Sequence, residues 1–502
     1  MADGIEQLVK VVHGYDPTAN VEEIRVAFEF AEKAHAGQMR ESGEPYIVHP
    51  LKTALNLAEM RLPPTMIIAG LLHDVPEDTA VTLDQIREKF GDDVAGLVEG
   101  ITKVGTIKYR GVARYIENLR KMFLTMAEDV RVVIIKFADR LHNLETLTAK
   151  PEKKRYRIAL ESLEIYAPIA NRLGMGEIKG RLEDAAFPFV FPKEYEWTKK
   201  IQEATIQRHE GYLNGVIGKT RDILRQSGIE HANIHGRVKH LYSLYRKLLK
   251  HERNIAGIHD IIAIRVIVDS VADCYAALGI IHGTWTPLKG RIKDYIAQPK
   301  PNGYRSLHTT VFCEDGEIVE FQIRTEEMHH ADEFGVASHW SYDERKLGKG
   351  TETSSAAPSI DWVAQLAEIQ REIADRKEYL KSLEEIKIDI FKDRIFVFTP
   401  KGDVIDLPED STPIDFAYAI HTDIGNTCSG ARINDDIASL EQKLKNGDVV
   451  EIIIDRNRKG PSPDWYAFAK TRHARSKIRQ YSKSKIASWI KGVMPKFSQR
   501  ST

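Results

Sequence analysis

The sequence predicts a multidomain chain, with an all-α region first, an α/β region in the middle and a small β-rich module near the end. Three observations carry that prediction. The 502 residues exceed what a single hydrophobic core usually serves. Apolar residues recur at helical spacing through residues 1–195, and between 196 and 345 the pattern changes to β-branched runs and strict alternation. Beyond a stretch rich in Gly, Thr, Ser and Ala at 346–359, strand, turn and helix signals crowd into residues 391–456.

With 42% hydrophobic and 29% charged residues, the composition is that of an ordinary globular protein. The longest apolar runs, 66–72 and 132–135, are too short to span a bilayer, and the first residues lack the basic-then-apolar order of a signal peptide. A cytoplasmic location with no membrane contact is therefore expected. Cys274, Cys313 and Cys428 are far apart and form no CxxC, which argues against a disulfide framework or a zinc knuckle. The net charge of -1 hides an asymmetry: ten Lys or Arg and no acid follow Asp464, leaving -11 on residues 1–464. A basic tail on an acidic body suits an anionic partner, nucleic acid being the obvious one.

Residues 1–195 read as helices whose ends carry the chemistry. Pro50 fits a first helical position just after His49, with Leu51, Ala54, Leu55 and Ala58 following at helical spacing. The apolar run 66–72 ends directly in His73 and Asp74, and Glu77 and Asp78 come next. A second apolar run, 130–137, leads to Asp139 and Asn143, which are four apart and share a helix face. His49, His73, Asp74 and Asp139 thus all fall at ends of apolar helices, where imidazoles and carboxylates can converge. Two imidazoles and two carboxylates suit a divalent cation such as Mn2+, with positions left for water and phosphate oxygens. Glu77 and Asp78, a turn further on, are placed to move protons. Residues 150–195 read as connecting helices, with Tyr166 and Phe187 in the core.

In the middle region, 260–269 is β-branched and reads as a central strand. Residues 317–325 alternate, with Val319, Phe321 and Ile323 on one face and Glu320, Gln322 and Arg324 on the other. Asp260 and Glu320 are the carboxylates best placed to hold Mg2+ and to take a proton. Asp260 and Arg265 would point to opposite faces of a regular strand, so both serve one site only if a bulge or strand end intervenes. Upstream, 235–240 opens a helix over 241–249, and Arg237, Lys239 and Lys247 could reach a polyphosphate near its start. The densest stretch is 290–310. There Arg291, Lys293, Lys300 and Arg305 flank a rigid turn of Pro299, Pro301, Asn302 and Gly303, and Tyr304 offers a ring on which a base could stack. This reads as a phosphate cradle.

Residues 346–390 read as a flexible linker followed by an amphipathic helix at 362–383. From 394 a hairpin turning at Lys401-Gly402-Asp403, a helix over 413–420 capped by Ser411 or Thr412, and a strand at 449–454 suggest a β-grasp. The segment 457–502 is basic with interleaved Trp465, Tyr466, Phe468, Tyr481 and Trp489, a pattern that suits RNA and equally a truncated helical stub.

Three groups of motifs resemble the RelA/SpoT homologue family. Ala34-His-Ala-Gly-Gln-Met-Arg-Glu-Ser-Gly-Glu-Pro-Tyr-Ile-Val-His-Pro50, Leu72-His-Asp-Val-Pro-Glu-Asp-Thr79 and Phe137-Ala-Asp-Arg-Leu-His-Asn143 resemble its HD-type hydrolase half. Gly236-Arg-Val-Lys-His240, Gly290-Arg-Ile-Lys-Asp-Tyr-Ile296, Pro299-Lys-Pro-Asn-Gly-Tyr304, Phe321-Gln-Ile-Arg-Thr325 and Gly335-Val-Ala-Ser-His-Trp340 resemble its nucleotidyltransferase-like synthetase half. The 391–456 module resembles its TGS domain.

The resemblance implies a bifunctional enzyme of the stringent response. One half would transfer pyrophosphate from ATP to the 3′-hydroxyl of GDP or GTP with Mg2+. The other would hydrolyse the resulting (p)ppGpp with Mn2+. It implies that Arg40, Ser42 and Asn143 contact the hydrolase nucleotide and that Arg237 clamps the ATP adenine. Lys239, Lys247, Arg265, Lys300 and His308 would bind phosphates, with Lys293, Asn302 and Gln322 in the same nucleotide site. Tyr304 would stack on guanine, Asp260 would hold Mg2+, Glu320 would act as base or second metal ligand, and His421 would touch a tRNA end. Arg291-Ile-Lys-Asp294 resembles the basic version found in bifunctional members. The chain departs from the family pattern at Glu41 (usually Lys), Val238 (usually Pro) and Arg305 (usually Gln). Two alternatives stay open: a hydrolase whose synthetase fold only senses nucleotides, and a non-catalytic RNA-binding regulator. The resemblance of the TGS domain, with the basic tail behind it, also implies a contact with tRNA or the ribosome.

Overall fold

The computed structural model describes residues 2–105, 121–255, 261–300, 302–338, 394–445, 447–458 and 460–481. Asp260, the linker and helix expected at 346–390, and the basic segment from 482 lie outside them. The chain divides into two units, Met1–Glu372 and Ile373–Thr502.

The first unit begins with helices α1 (Ala2–Tyr15), α2 (Val21–Ala34), α3 (Val48–Glu59), α4 (Pro64–Leu72), α5 (Val75–Asp78), α6 (Leu83–Gly105) and α7 (Val130–Glu145). α4 is the hub: Met66 to Leu72 are all buried, so the helix is apolar on every side and α2, α3 and α6 surround it. Each large side chain buried there contributes about 1.5–3 kcal/mol relative to exposure. Gly70 lets α3 come close, since a Cβ at Gly70 would meet Leu57 at 2.5 Å. α3 starts at Val48 and not at Pro50. The turn bonds Val48 N–H to Pro45 O and His49 N–H to Tyr46 O already wind the chain, so His49 sits inside the helix. α7 is capped by Asp129, whose carboxylate accepts from Arg131 N.

Next come α8 (Glu152–Glu161), a π-helical turn at Ser162–Tyr166, α9 (Ala167–Arg172), α10 (Gly176–Val190) and the long α11 (Pro192–Gln226). Tyr166 and Phe187 are buried. The α/β part follows as β1 (Asn233–Val238), α12 (Leu241–Lys250), β2 (Ile262–Val268), α13 (Val271–Thr284), β3 (Thr286–Pro287), β4 (Lys293–Asp294), β5 (Leu307–Phe312), β6 (Ile318–Thr325) and α14 (Glu326–Phe334). The sheet order is β1-β2-β6-β5-β3, with β4 pairing β5; β2 and β6 are parallel and the other pairs antiparallel.

Alternation splits this sheet into two faces. Ile264, Val266, Val268, Val319, Phe321 and Ile323 pack against Leu213 and Val216 of α11 and Ala277 and Ile281 of α13. The residues between them, Arg265, Glu320, Gln322 and Arg324, face the other way and build a site. β2 runs from Ile262 to Val268 and carries Arg265 on the polar face; the expected parity conflict with Asp260 falls on a residue outside the described ones.

The second unit contains the hairpin β7 (Arg394–Phe398) and β8 (Val404–Pro408), α15 (Pro413–Ile420), α16 (Thr422–Thr427), β9 (Cys428–Ile433), β10 (Asp436–Ala438), β11 (Val450–Ile454) and α17 (Trp465–Phe468). Gly402, with φ of 90°, makes the hairpin turn. Thr412 and Asp415 form a capping box on α15. β10-β9-β11 form one sheet, and a bridge between Phe398 and Val449 ties the hairpin to it. The start of the basic segment is part of this core: Trp465, Ala469, Ala474 and Ile478 are buried with Tyr418 and Cys428. Among the described residues, no helix is long and apolar enough to cross a membrane.

Candidate active sites

In the helical half, α3 brings His49, the junction of α4 and α5 brings His73 and Asp74, and α7 brings Asp139. His49 Nε2 lies 3.2 Å from Asp139 Oδ1 and 3.4 Å from Asp74 Oδ2, and His73 Nε2 lies 3.2 Å from Asp74 Oδ1 and 3.9 Å from Asp139 Oδ1. Ligand atoms of His49, His73 and Asp74 all fall within 4.8 Å of one another.

The protonation pattern suits a cation. His73 Nδ1 bonds Gly70 O at 2.8 Å, which leaves Nε2 with its lone pair, buried and without a hydrogen-bond partner. Burial holds the His49 imidazole below its usual value. Against a burial that would raise it, Asp139 is held well below the usual carboxylate range by Lys136 and His49, and Asp74 is lowered by His73 and His49. An imidazole held toward its neutral form beside carboxylates held ionised is the state in which these groups bind a divalent metal. The residues present therefore fit one.

Residues that sequence reasoning left out complete the arrangement. The buried His142 places Nδ1 2.8 Å from His49 Nδ1 and 3.3 Å from Arg40 Nη1. Burial, with His49 and Arg40, pushes His142 down to about 3. Tyr46 donates to Asp78 at 2.6 Å and its hydroxyl lies 2.9 Å from Asp74. Lys136 Nζ is 2.9 Å from Asp139 Oδ2. His142 lay inside a quoted motif and Tyr46 three residues before His49, but neither carried a local signal for its direction.

At the mouth, Arg40 Nη2 donates to Asn143 Oδ1 at 2.9 Å, and Asn143 donates in turn to Asp139. Ser42 is exposed and bonds Glu44. Glu41 is 3.4 Å from Lys150 and 3.9 Å from Lys154, so its negative charge has two cations beside it. Burial raises the Glu77 carboxyl above its usual range, with Asp74 and Asp78 adding to the effect.

In the α/β half, the polar sheet face gathers around Gln322, which pairs with Arg265 on β2 and His308 on β5. Gln322 Nε2 donates to Glu320 at 3.0 Å, Arg237 donates to Gln322 Oε1 at 3.4 Å, and His308 Nδ1 is 3.3 Å from Glu320. Tyr304 and His308 bond at 2.7 Å, and Lys300 Nζ sits 4.8 Å from the Tyr304 ring centroid. Lys293 lies opposite His308 in the ladder, and Lys247 is half-buried on α12. Asn302 and Arg305 are exposed; Asn302 Oδ1 accepts from Tyr304 N.

The cations crowd one another. Burial and Lys293 push Lys300 down to about 8, and burial and Arg324 push Arg265 down to about 10. A half-buried cluster of cations that depress one another has the charge to receive a polyanion. Beneath it, Arg324 and Asp332 form a buried pair at 2.6 Å, and Asp332 also accepts from Arg305 N at 3.0 Å. In the second unit, His421 is exposed and caps α16 through Asp423 N.

Comparison with known proteins agrees with this architecture. Residues 27–176 match the HD domain, 236–347 the region found in RelA / SpoT proteins, and 395–454 the TGS domain. Over 479 residues the chain is 48% identical to a guanosine-3′,5′-bis(diphosphate) 3′-pyrophosphohydrolase of Aquifex aeolicus, covering 95% of this chain and 67% of that one. It is 44% identical over 493 residues to a GTP pyrophosphokinase of Streptomyces coelicolor, covering 95% and 58%. It is 45% identical over 481 residues to the bifunctional (p)ppGpp synthase/hydrolase RelA of Mycobacterium tuberculosis, covering 95% and 64%. The chain thus spans between 58% and 67% of the length of these relatives. With all three regions matched in order and near half of the residues shared with such relatives, the chain belongs to the RelA/SpoT family.

Proposed function

We propose that the chain is a bifunctional alarmone enzyme: it transfers pyrophosphate from ATP to the 3′-hydroxyl of GDP or GTP, and it hydrolyses (p)ppGpp to GDP or GTP and pyrophosphate. The observation that carries this reading is the coexistence in one unit of a His-His-Asp-Asp cluster and a sheet face of mutually depressed cations. A catalytically silent RNA binder needs neither. The hydrolase takes residues 1–195 and the synthetase 196–345, with the TGS domain at 391–456 behind them.

In the hydrolase, His49, His73, Asp74 and Asp139 hold Mn2+, and in the synthetase Asp260 and Glu320 hold Mg2+. When bound, these metals activate the attacking oxygen and neutralise charge developing on phosphate. Arg40, Ser42 and Asn143 orient (p)ppGpp, and Glu77, its carboxyl raised by burial toward the working range of a proton carrier, moves protons with Asp78 toward the leaving group. In the synthetase, Arg237, Lys239, Lys247, Arg265, Lys293 and Lys300 neutralise the polyphosphate. Tyr304 and Asn302 seat the guanine nucleotide, and Glu320, steadied by Gln322 and His308, takes the proton of the 3′-hydroxyl. These nucleotides are cytoplasmic, and so is the enzyme in this reading. The exposed His421 and the cations at 470–479 support a tRNA or ribosome contact by the second unit.

The test is a paired assay on the purified chain: ATP plus GDP with Mg2+, and guanosine tetraphosphate with Mn2+, alongside Asp260→Ala and Asp74→Ala. Each substitution should abolish one reaction and spare the other. Turnover only with Mn2+ would reduce the synthetase half to a sensor, and no turnover in either assay would sink the proposal.

A further inference from the structure

We propose that Asp184 and His240 are positioning residues for the synthesis reaction, through which helix α10 holds the connection that carries Arg237 and Lys239. This rests on the functional reading above.

The connection is short. β1 ends at Val238 and α12 begins at Leu241, so Lys239 and His240 alone join them. Whatever pins His240 fixes where Arg237 and Lys239 stand, and also where α12, the bearer of Lys247, starts. A helix leaves its first N–H groups without internal partners, and Ser, Thr, Asp or Asn normally supplies the missing acceptor. Here the cap residue is His240, whose side chain makes no such bond.

The acceptor comes from α10 instead. Asp184 Oδ1 accepts from Tyr242 N at 2.9 Å, and Asp184 Oδ2 is 2.9 Å from His240 Nδ1. On the other edge of the ring, His240 Nε2 lies 3.4 Å from Glu177 Oε2. The imidazole is therefore bridged by two carboxylates about two turns apart on the same helix. Gly180 lies under it: a Cβ there would fall 2.2 Å from the His240 ring, so only glycine lets the ring lie against α10.

The same helix reaches the sheet. α10 packs against α14, whose Glu333 is 2.9 Å from Arg265 on β2. α10 thus touches the polyphosphate side of the site at two points, through His240 and through Arg265, although it belongs to the helical half. Gln202 of α11 adds a bond to Lys239 O at 2.7 Å. Asp184 and Glu177 act through His240, and α10 reaches Arg265 through its packing on α14.

The experiment uses the full chain with His240→Ala, Asp184→Asn and Gly180→Ala. It measures binding of a non-hydrolysable ATP analogue with Mg2+ by calorimetry, KM for ATP and GDP, hydrolysis with Mn2+, and thermal unfolding. Loss of charge-assisted hydrogen bonds should weaken analogue binding and raise KM for ATP about tenfold or more, with KM for GDP and hydrolysis unchanged. His240→Lys, which keeps the cation, should recover part of the loss. Gly180→Ala guards against misfolding, because alanine favours the helix while displacing the ring.

Unchanged ATP affinity in both Asp184→Asn and His240→Ala overturns the proposal. So does a parallel fall of both reactions with the unfolding temperature in all three variants, which would mark a purely structural junction. A wild-type chain that makes no product yet binds the analogue, with the variants weaker, leaves the positioning role standing and removes the functional reading. A wild-type chain that binds no analogue overturns both.

Discussion

His49 and His142 face each other through their Nδ1 atoms at 2.8 Å, from helices α3 and α7. One nitrogen must donate and the other accept, so His142 sets the tautomer and the ring angle of His49 and keeps His49 Nε2 toward Asp74 and Asp139. Replacing His142 by Ala should therefore lower Mn2+ affinity about 10–100-fold by releasing the His49 ring. Titration of the metal, followed by electron paramagnetic resonance, reads this directly. An unchanged affinity would mean that burial alone orients His49.

The imidazole of His240 gives the junction of the two halves a pH dependence. Burial works against the charge, but the bonds to Asp184 and Glu177 prevail and raise it from 6.5 to about 9. For a histidine raised on folding, the stabilisation is complete below its unfolded value near 6.5, falls as pH rises, and is gone above about 9. At pH 6 it amounts to at most about 3 kcal/mol, less whatever solvent screens. Relative to His240→Gln, wild type should lose its stability advantage between pH 6.5 and 9 in denaturant titrations. A difference that does not vary over that window would contradict the ion-paired ring.

Gly174, with φ of 75°, sits where a Cβ would be 2.8 Å from Asn302 O and 3.2 Å from the Gly335 Cα. Gly228 has a φ of 91° and open space around it. Both glycines serve a left-handed backbone, but only Gly174 also serves a close approach between the helical half and the turn that carries Tyr304. Gly228→Ala should cost about 1–2 kcal/mol from the backbone alone. Gly174→Ala should cost about 1–3 kcal/mol more as the turn is displaced. Equal losses in chemical denaturation would show that the contact yields freely.

In the second unit, the buried carboxylate of Asp415 accepts from Thr412 N and Oγ1, Lys470 N, and Thr471 N and Oγ1, all at 2.7–2.9 Å. It both caps α15 and anchors the segment that follows the β-grasp. Asp415→Ala should cost about 1–3 kcal/mol for each buried donor left unpaired. Limited proteolysis should then cut between β11 and residue 481 far sooner than in wild type. Equal cleavage rates would mean that Trp465 holds the segment without Asp415.

The sequence by itself determined the local elements and the residue types of both sites. The apolar run 66–72 closed by His73 and Asp74, the alternation of β6, the turn at Gly402 and the helix Pro413–Ile420 are legible because periodicity and turn chemistry act between near neighbours in the chain. The convergence of His49, His73, Asp74 and Asp139 was legible for the same reason: each ends or begins an apolar run. What only the tertiary structure decided is which side chains meet across elements. Tyr46 on Asp74 and Asp78, His142 on His49, Lys136 on Asp139 and Asp184 on His240 join residues whose separation in sequence carries no period. The sequence reading also started α3 at Pro50, because proline favours a first turn, whereas the preceding turn bonds begin the helix at Val48. It left the residues after 457 open between an RNA-binding basic segment and a helical stub, because charge dominates their composition; the described part buries Trp465 and Ile478. Burial is a property of the packed whole, and a charged stretch gives no local sign of the few apolar residues that a neighbouring core will take up.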